Sequence, residues 1–292
     1  MDTLVRGTSM DGAIRVLAAV TTDMANEAVR IHNTYPVATA ALGRLLTGAA
    51  LMGATLKNET DTLTMQIKGD GPLQTVVAVG DAQSRVRGYV GNAYVQRPLN
   101  DKGKLDVGGA VGEGFLTVIR DLGLKEPYIG QVPLVSGEIA EDISYYYSQS
   151  EQIPTAVGLG VLVDVDNTVL ASGGFMIQML PGSTDEMAKK LENILENLPP
   201  VTKLINDGIT AEELFFRVTE GFDMLMDNNF VTPKYECKCS KERMEEALIS
   251  IGAKEIEDII KEQGEAELTC HFCDNKYKFS REELEDLLKK AK

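Results

Sequence analysis

Four cysteines, Cys237, Cys239, Cys270 and Cys273, are the chain's full complement, and all lie in its last fifth. They read Cys-x-Cys, thirty intervening residues, then Cys-x-x-Cys. Two close pairs at a distance are the pattern of a four-cysteine zinc site. Zinc wants four ligands in a tetrahedron, and each close pair supplies one edge of it. The turn through Cys270, His271, Phe272 and Cys273 lets both sulfurs point to one side. Two other readings share these residues: four unrelated buried thiols, and a thioredoxin-like redox CxxC. The redox CxxC lacks a surrounding βαβ pattern and leaves Cys237 and Cys239 unexplained. His271 can replace one cysteine as a ligand, although its knuckle position suits a residue that faces solvent or supports a ligand.

An all-thiolate site has no open position for water, so hydrolysis by a Lewis acid does not fit it. A purely structural metal is the plain reading. Two features point further. Thiols one residue apart can be oxidised to each other without moving distant chain. Thiolates are also the form that peroxide attacks. Structural zinc contributes roughly 10–16 kcal/mol in finger peptides, whereas a module of about 60 residues is marginal on its core alone. Oxidation of the cysteines is therefore expected to unfold the C-terminal module.

Charge density marks that module off. Residues 232–292 hold 27 charged side chains in 61 positions, about 44%, against about 20% in the remainder. Three regions are expected. Residues 1–180 read as an α+β domain with a mixed sheet. Residues 62–69, 73–80, 115–121 and 169–180 look like strands, rich in β-branched and large apolar residues and punctuated by Gly and Asp. Helical spacing appears in Val37–Leu56 and at Ile139, Ile143 and Tyr146 or Tyr147. Residues 181–231 read as a helical linker. Ser183 with Glu186 and Thr210 with Glu213 form capping boxes. Met187, Leu191, Ile194, Leu195 and Leu198 make one apolar stripe, and Leu214, Val218, Phe222 and Leu225 the next. Residues 232–292 read as the zinc-binding domain. Ser240 caps a helix to about Ser250, a second helix near 253–263 ends at Gly264, two short strands flank the cysteine turn, and Ser280 with Glu283 opens the last helix.

Composition removes several function classes. The 29 Lys and Arg against 44 Asp and Glu give a net charge of −15, which opposes binding to nucleic acid or anionic membrane. With two histidines, His32 and His271, catalysis built on several histidines is excluded. No nucleophile–base–acid set is present, so no enzyme is expected. Val37–Leu56 is long and apolar, but Arg44 near its middle costs about 2.5–3.5 kcal/mol in a bilayer, and a buried, closely packed helix is the better reading. The apolar run near the N-terminus is too short and polar for a secretory signal, so a cytoplasmic protein with reduced thiols is expected. Weaker signals take plain readings. The glycine-rich stretch 107–114 is a flexible turn, the acids of 138–142 an ordinary helix start, and Arg85, Arg87 and Arg120 partners for acids on strands. Met176, Met179, Met187, Met224 and Met226 are core residues or a flexible binding surface.

Taken whole, the sequence resembles the redox-regulated 33 kDa chaperonin (heat-shock protein) family. The resemblance is carried by residues 68–92 (KGDGPLQTVVAVGDAQSRVRGYVGN), 116–142 (LTVIRDLGLKEPYIGQVPLVSGEIAED), 145–161 and 173–182, and by the YECKCS and LTCHFC segments at 235–240 and 268–273. It implies an ATP-independent holdase. The reduced form would hold one Zn²⁺ through Cys237, Cys239, Cys270 and Cys273 and be inactive. Oxidants would release the metal and form Cys237–Cys239 and Cys270–Cys273 disulfides. The metal module and the 181–231 linker would then unfold, and the active protein, usually a homodimer, would bind unfolding clients. Two alternatives stand beside it: a structural zinc module that binds nucleic acid or a partner, and a thiol oxidoreductase.

Overall fold

Alternation is clearest in Thr62–Gly69, where Leu63, Met65 and Ile67 are buried and the residues between them are partly exposed. That pattern is a strand with one face on a core. The computed structural model describes residues 1–291 and groups the chain into two compact units, Met1–Glu236 and Cys237–Lys292.

The first unit holds β1 (Thr3–Ser9), β2 (Ile14–Val20), α1 (Thr22–His32), α2 (Pro36–Gly53), β3 (Thr62–Gly69), β4 (Thr75–Asp81) and β5 (Arg85–Val90). There follow α3 (Val107–Val111), β6 (Gly114–Asp121), β7 (Tyr128–Pro133), α4 (Ala140–Tyr146) with a π-helical turn at Tyr147–Glu151, β8 (Thr155–Val163) and β9 (Val169–Met179). It ends with α5 (Asp185–Glu196), α6 (Val201–Asn206), α7 (Ala211–Arg217), β10 (Met224–Met226) and β11 (Lys234–Tyr235). One sheet runs β10-β1-β2-β9-β8 and the other β11-β5-β4-β3-β6-β7. Every pairing is antiparallel except β11 on β5. This is α+β architecture, as the irregular mix of strands and helices predicts.

Helix α2 packs against strands of both sheets. Being covered on all sides, it is apolar on all sides, and 89% of it is buried. Arg44, its one charge, leaves through Glu138, whose carboxylate lies 2.5 Å away. The small residues of α2 let the sheets close in. A Cβ on Gly80 would meet the Ala49 carbonyl oxygen at 2.6 Å.

The far side of the five-stranded sheet carries a second core. Val5, Ile14, Val16, Ala18, Ala171, Phe175 and Ile177 of the sheet meet Leu191, Val201, Ile205, Leu214, Phe215 and Val218 of α5–α7 and the turn after them. Residues 181–231 thus lie on the sheet as an amphipathic cover. Their local signals need three corrections. Thr184, not Ser183, caps α5, accepting from Met187 N at 3.3 Å. An added helix, α6, follows Pro200. The stripe drawn from Leu214 to Leu225 breaks at Arg217, because Gly221 turns the chain at φ +79° and Met224–Met226 becomes a strand on β1, with Leu225 exposed. Of the five methionines, Met176 is buried in the main core, and Met179, Met224 and Met226 pack at the margin of the second.

Of the other plain readings one changes and one is extended. Residues 107–111 are a helix with Val107, Ala110 and Val111 buried, not a flexible turn; Asp106 caps it. The acids of 138–142 do open a helix, with Glu141 and Asp142 in the first turn of α4, and Asp142 has a further role. Asp142 is fully buried and accepts from the backbone N–H groups of Val135, Ser136, Gly137 and Ile139 at 2.7–3.3 Å. That ring of donors holds Ile139 at φ +78°, a strained conformation for a β-branched residue. Full burial of the Ile139 side chain, about 1.5–3 kcal/mol, offsets strain of about 1–3 kcal/mol.

The second unit contains α8 (Lys241–Ile251), α9 (Ala253–Glu262), the hairpin β12 (Ala266–Thr269) and β13 (Lys276–Phe279), and α10 (Arg281–Lys290). Ser240 and Ser280 cap α8 and α10, the latter through a full capping box with Glu283, as expected from the sequence. Gly264, at φ +75°, closes α9 by donating to Ile259 O at 3.1 Å. The core of this unit is small: Leu248, Ile256, Ile260, Ala266, Phe279, Leu284 and Leu287, with partly buried residues around it.

Candidate metal centre

Cys237 and Cys239 precede α8, and Cys270 and Cys273 sit in the turn of the β12–β13 hairpin. The turn is built by the backbone. Cys270 N donates to Asn275 O at 2.9 Å, and Cys270 O accepts from Asp274 N at 2.8 Å and Cys273 N at 3.3 Å. Asp274 takes φ +58°, a conformation that Asp tolerates. This knuckle turns both sulfurs inward.

All four Sγ atoms lie within 4.8 Å of one another. Cys237 and Cys270 sulfurs are 3.7 Å apart, and Cys239 and Cys273 sulfurs 3.3 Å apart. A tetrahedron of sulfurs 2.3 Å from a zinc ion has edges of about 3.8 Å. The residues therefore fit the metal in number, type and spacing. Cys270 is buried and the other three half-buried. Among the described residues the cluster comprises these four sulfurs, and His271, exposed on the knuckle, is not part of it.

The thiols are not equivalent. Burial pushes Cys237 up to about 11, and burial with hydrogen bonding to its neighbours pushes Cys273 higher still. Burial also acts to raise Cys239, but hydrogen bonds from Tyr277 and the other three thiols outweigh it and bring it down to about 7. Tyr277 Oη donates to Cys239 Sγ at 3.0 Å. Sequence reasoning missed this tyrosine. Its partner lies 38 positions away, and only the hairpin register, Tyr277 opposite Leu268, places it beside the cluster.

An α+β domain joined to a small unit clasped by four thiols defines a protein with a cysteine-cluster module, and the comparisons with known proteins narrow that class. The chain matches the Hsp33 protein family over residues 2–280. It is 47% identical over 292 residues to a 33 kDa chaperonin of Clostridium beijerinckii, covering 100% of this chain and 99% of that one. It is 50% identical over 288 residues to one of Clostridium botulinum, covering 98% and 97%. The crystal structure of a 33 kDa chaperonin from Thermotoga maritima superposes with a TM-score of 0.89 at 42% identity, covering 98% of this chain and 97% of that one. The chain belongs to the Hsp33 family of chaperones.

Proposed function

We propose that this protein is a redox-gated, ATP-independent holdase of the cytoplasm. The observation that carries the reading is the four-thiol cluster within 4.8 Å, placed in a unit whose own buried core is seven residues. Cys237, Cys239, Cys270 and Cys273 would each give one thiolate to a single Zn²⁺ in the reduced protein. When bound, the ion would keep four thiolates deprotonated side by side and clasp the hairpin to the segment before α8.

Oxidation acts on the sulfurs. In each pair one thiolate attacks peroxide, giving a sulfenic acid and releasing water or hydroxide. Its neighbour then displaces the second oxygen as water, so each pair of thiols gives up two electrons to one peroxide as its disulfide forms. The expected bonds are Cys237–Cys239 and Cys270–Cys273. Disulfide sulfurs no longer ligate metal, and the unit loses its clasp. Residues 181–231 are the linker that covers the apolar sheet face while the chain is reduced. With 232–292 unfolded, that cover loosens, and the exposed face of 1–180 receives unfolding clients. A homodimer is the expected active form.

The test follows metal release and suppression of client aggregation on one sample, reduced and then treated with peroxide under mild heating. Both should appear together. Metal release with no gain in aggregation suppression overturns the reading.

A further inference from the structure

Strand β5 lies near the edge of the six-stranded sheet, and its outward side is covered by Lys234–Glu236. Lys234 N donates to Ser84 O at 3.2 Å and Glu236 N to Val86 O at 2.7 Å, in parallel register with Lys234 beside Arg85 and Tyr235 beside Val86. One rung further, a side chain stands in for backbone. The Tyr235 hydroxyl donates to Gly88 O at 2.6 Å and accepts from Gly88 N at 3.2 Å. Its one proton is spent on that carbonyl, so His32 Nε2, 2.9 Å from the same oxygen, is a donor. The His32 ring also meets the Tyr235 ring edge to face at 6.2 Å. Gly88 has no side chain because a Cβ there would lie 2.4 Å from Val77 O.

We propose that this edge of β5 is a docking site for extended segments of unfolded client protein, held shut in the resting chain by Lys234–Glu236. The inference rests on the chaperone reading above. An open strand edge recognises backbone and is indifferent to side chains, and clients of a holdase have only their unfolded backbone in common. The edge already seats an extended segment of this chain. That segment is short: two of its N–H groups, those of Lys234 and Glu236, donate to β5. It also ends one residue before Cys237, so the event that unclasps Cys237 frees the far end of the cover. A chemically denatured, cysteine-free protein is the probe for the vacated edge.

Amide exchange at Gly88, measured by NMR on the full chain, tests the proposal. In the reduced protein the amide should exchange slowly. Peroxide should speed it by about tenfold or more, local opening of the kind that exchange reports, and the denatured client should slow it again. In the reduced protein Tyr235→Phe should speed Gly88 exchange with bound metal unchanged. Protection that survives oxidation, or Tyr235→Phe without effect, overturns the inference. A Gly88 amide that stays fast while the oxidised chain suppresses aggregation also overturns it and leaves the chaperone reading standing. A freed edge with no suppression of aggregation sinks the chaperone reading and takes the client site with it.

Discussion

At the scale of single residues, two groups have reactivities that their neighbours set. Cys239 is brought down to about 7 against burial, with Tyr277 the first of its helpers. In the reduced, metal-loaded protein, where the unit is folded, Tyr277→Phe removes the hydrogen bond donated to Cys239 Sγ and leaves that sulfur more nucleophilic, so Cys239 should be alkylated faster relative to the other three cysteines. Mass spectrometry of alkylated peptides reads this directly, and an unchanged order of labelling refutes it. Asp2 is the second case. Its carboxylate accepts from Asp23 N at 2.9 Å and Met24 N at 2.7 Å, capping α1 where Thr21 does not, because the Thr21 hydroxyl is engaged by Thr47 and Ser172. Burial outweighs those two N–H donors and raises Asp2 to about 6. A carboxyl raised on folding stabilises the protein below its unfolded pKa, and that contribution is lost as pH climbs through 6. Relative to Asp2→Asn, the natural protein should therefore lose about 2–3 kcal/mol between pH 4 and pH 7.5 in urea titrations. A difference that is flat with pH would show that Asp2 stays ionised in the fold.

At the scale of elements, the cover formed by α5–α7 is the part on which gating would act. Phe215 is fully buried and packs against Gly7 of β1, where an added Cβ would come within 2.9 Å of its ring. Phe215→Ala should weaken the cover by about 3–5 kcal/mol. Expected results are stronger binding of a hydrophobic dye and some suppression of aggregation without oxidant. A stable cover with dye binding unchanged would argue against α5–α7 as the gate. The same elements show what sequence can reveal. The boxes at Thr210 and Ser280 were legible because a capping box is closed within four residues. Ser183 and Thr184 both offer a hydroxyl, and only backbone geometry chooses Thr184. The stripe through Leu225 failed because helical spacing persists in the sequence past Gly221, where the backbone turns away. Strands β10 and β11, three and two residues long, have no period to read; their partners on β1 and β5 define them. The cysteines were legible because a metal site dictates spacing. Asp142 and Tyr277 were not, because their partners are set by tertiary contact.

At the scale of the whole molecule, the two units differ in what supports them. The unit Met1–Glu236 has a main core built around α2 and a second on the sheet's far face. The unit beginning at Cys237 has seven buried apolar residues, and a core of that size rarely supplies more than about 3–5 kcal/mol. A structural zinc site contributes roughly 10–16 kcal/mol at pH 7. The metal term is thus larger than the core term, and removing it should decide whether this unit is folded. A strong chelator under reducing conditions should strip amide protection from β12, β13, α9 and α10 while α2 stays protected. The effect should depend on pH with a definite sign. Ligation needs deprotonated sulfur, and a free cysteine thiol has a pKa of about 8.5, so most of the protons must be driven off at neutral pH. Affinity should weaken as pH falls, and less chelator should suffice at pH 6 than at pH 8. Should the hairpin and α10 keep their protection after the metal is gone, the small core is sufficient by itself. Oxidation of the cysteines would then not unfold the unit, and the gate would have to lie elsewhere in the chain.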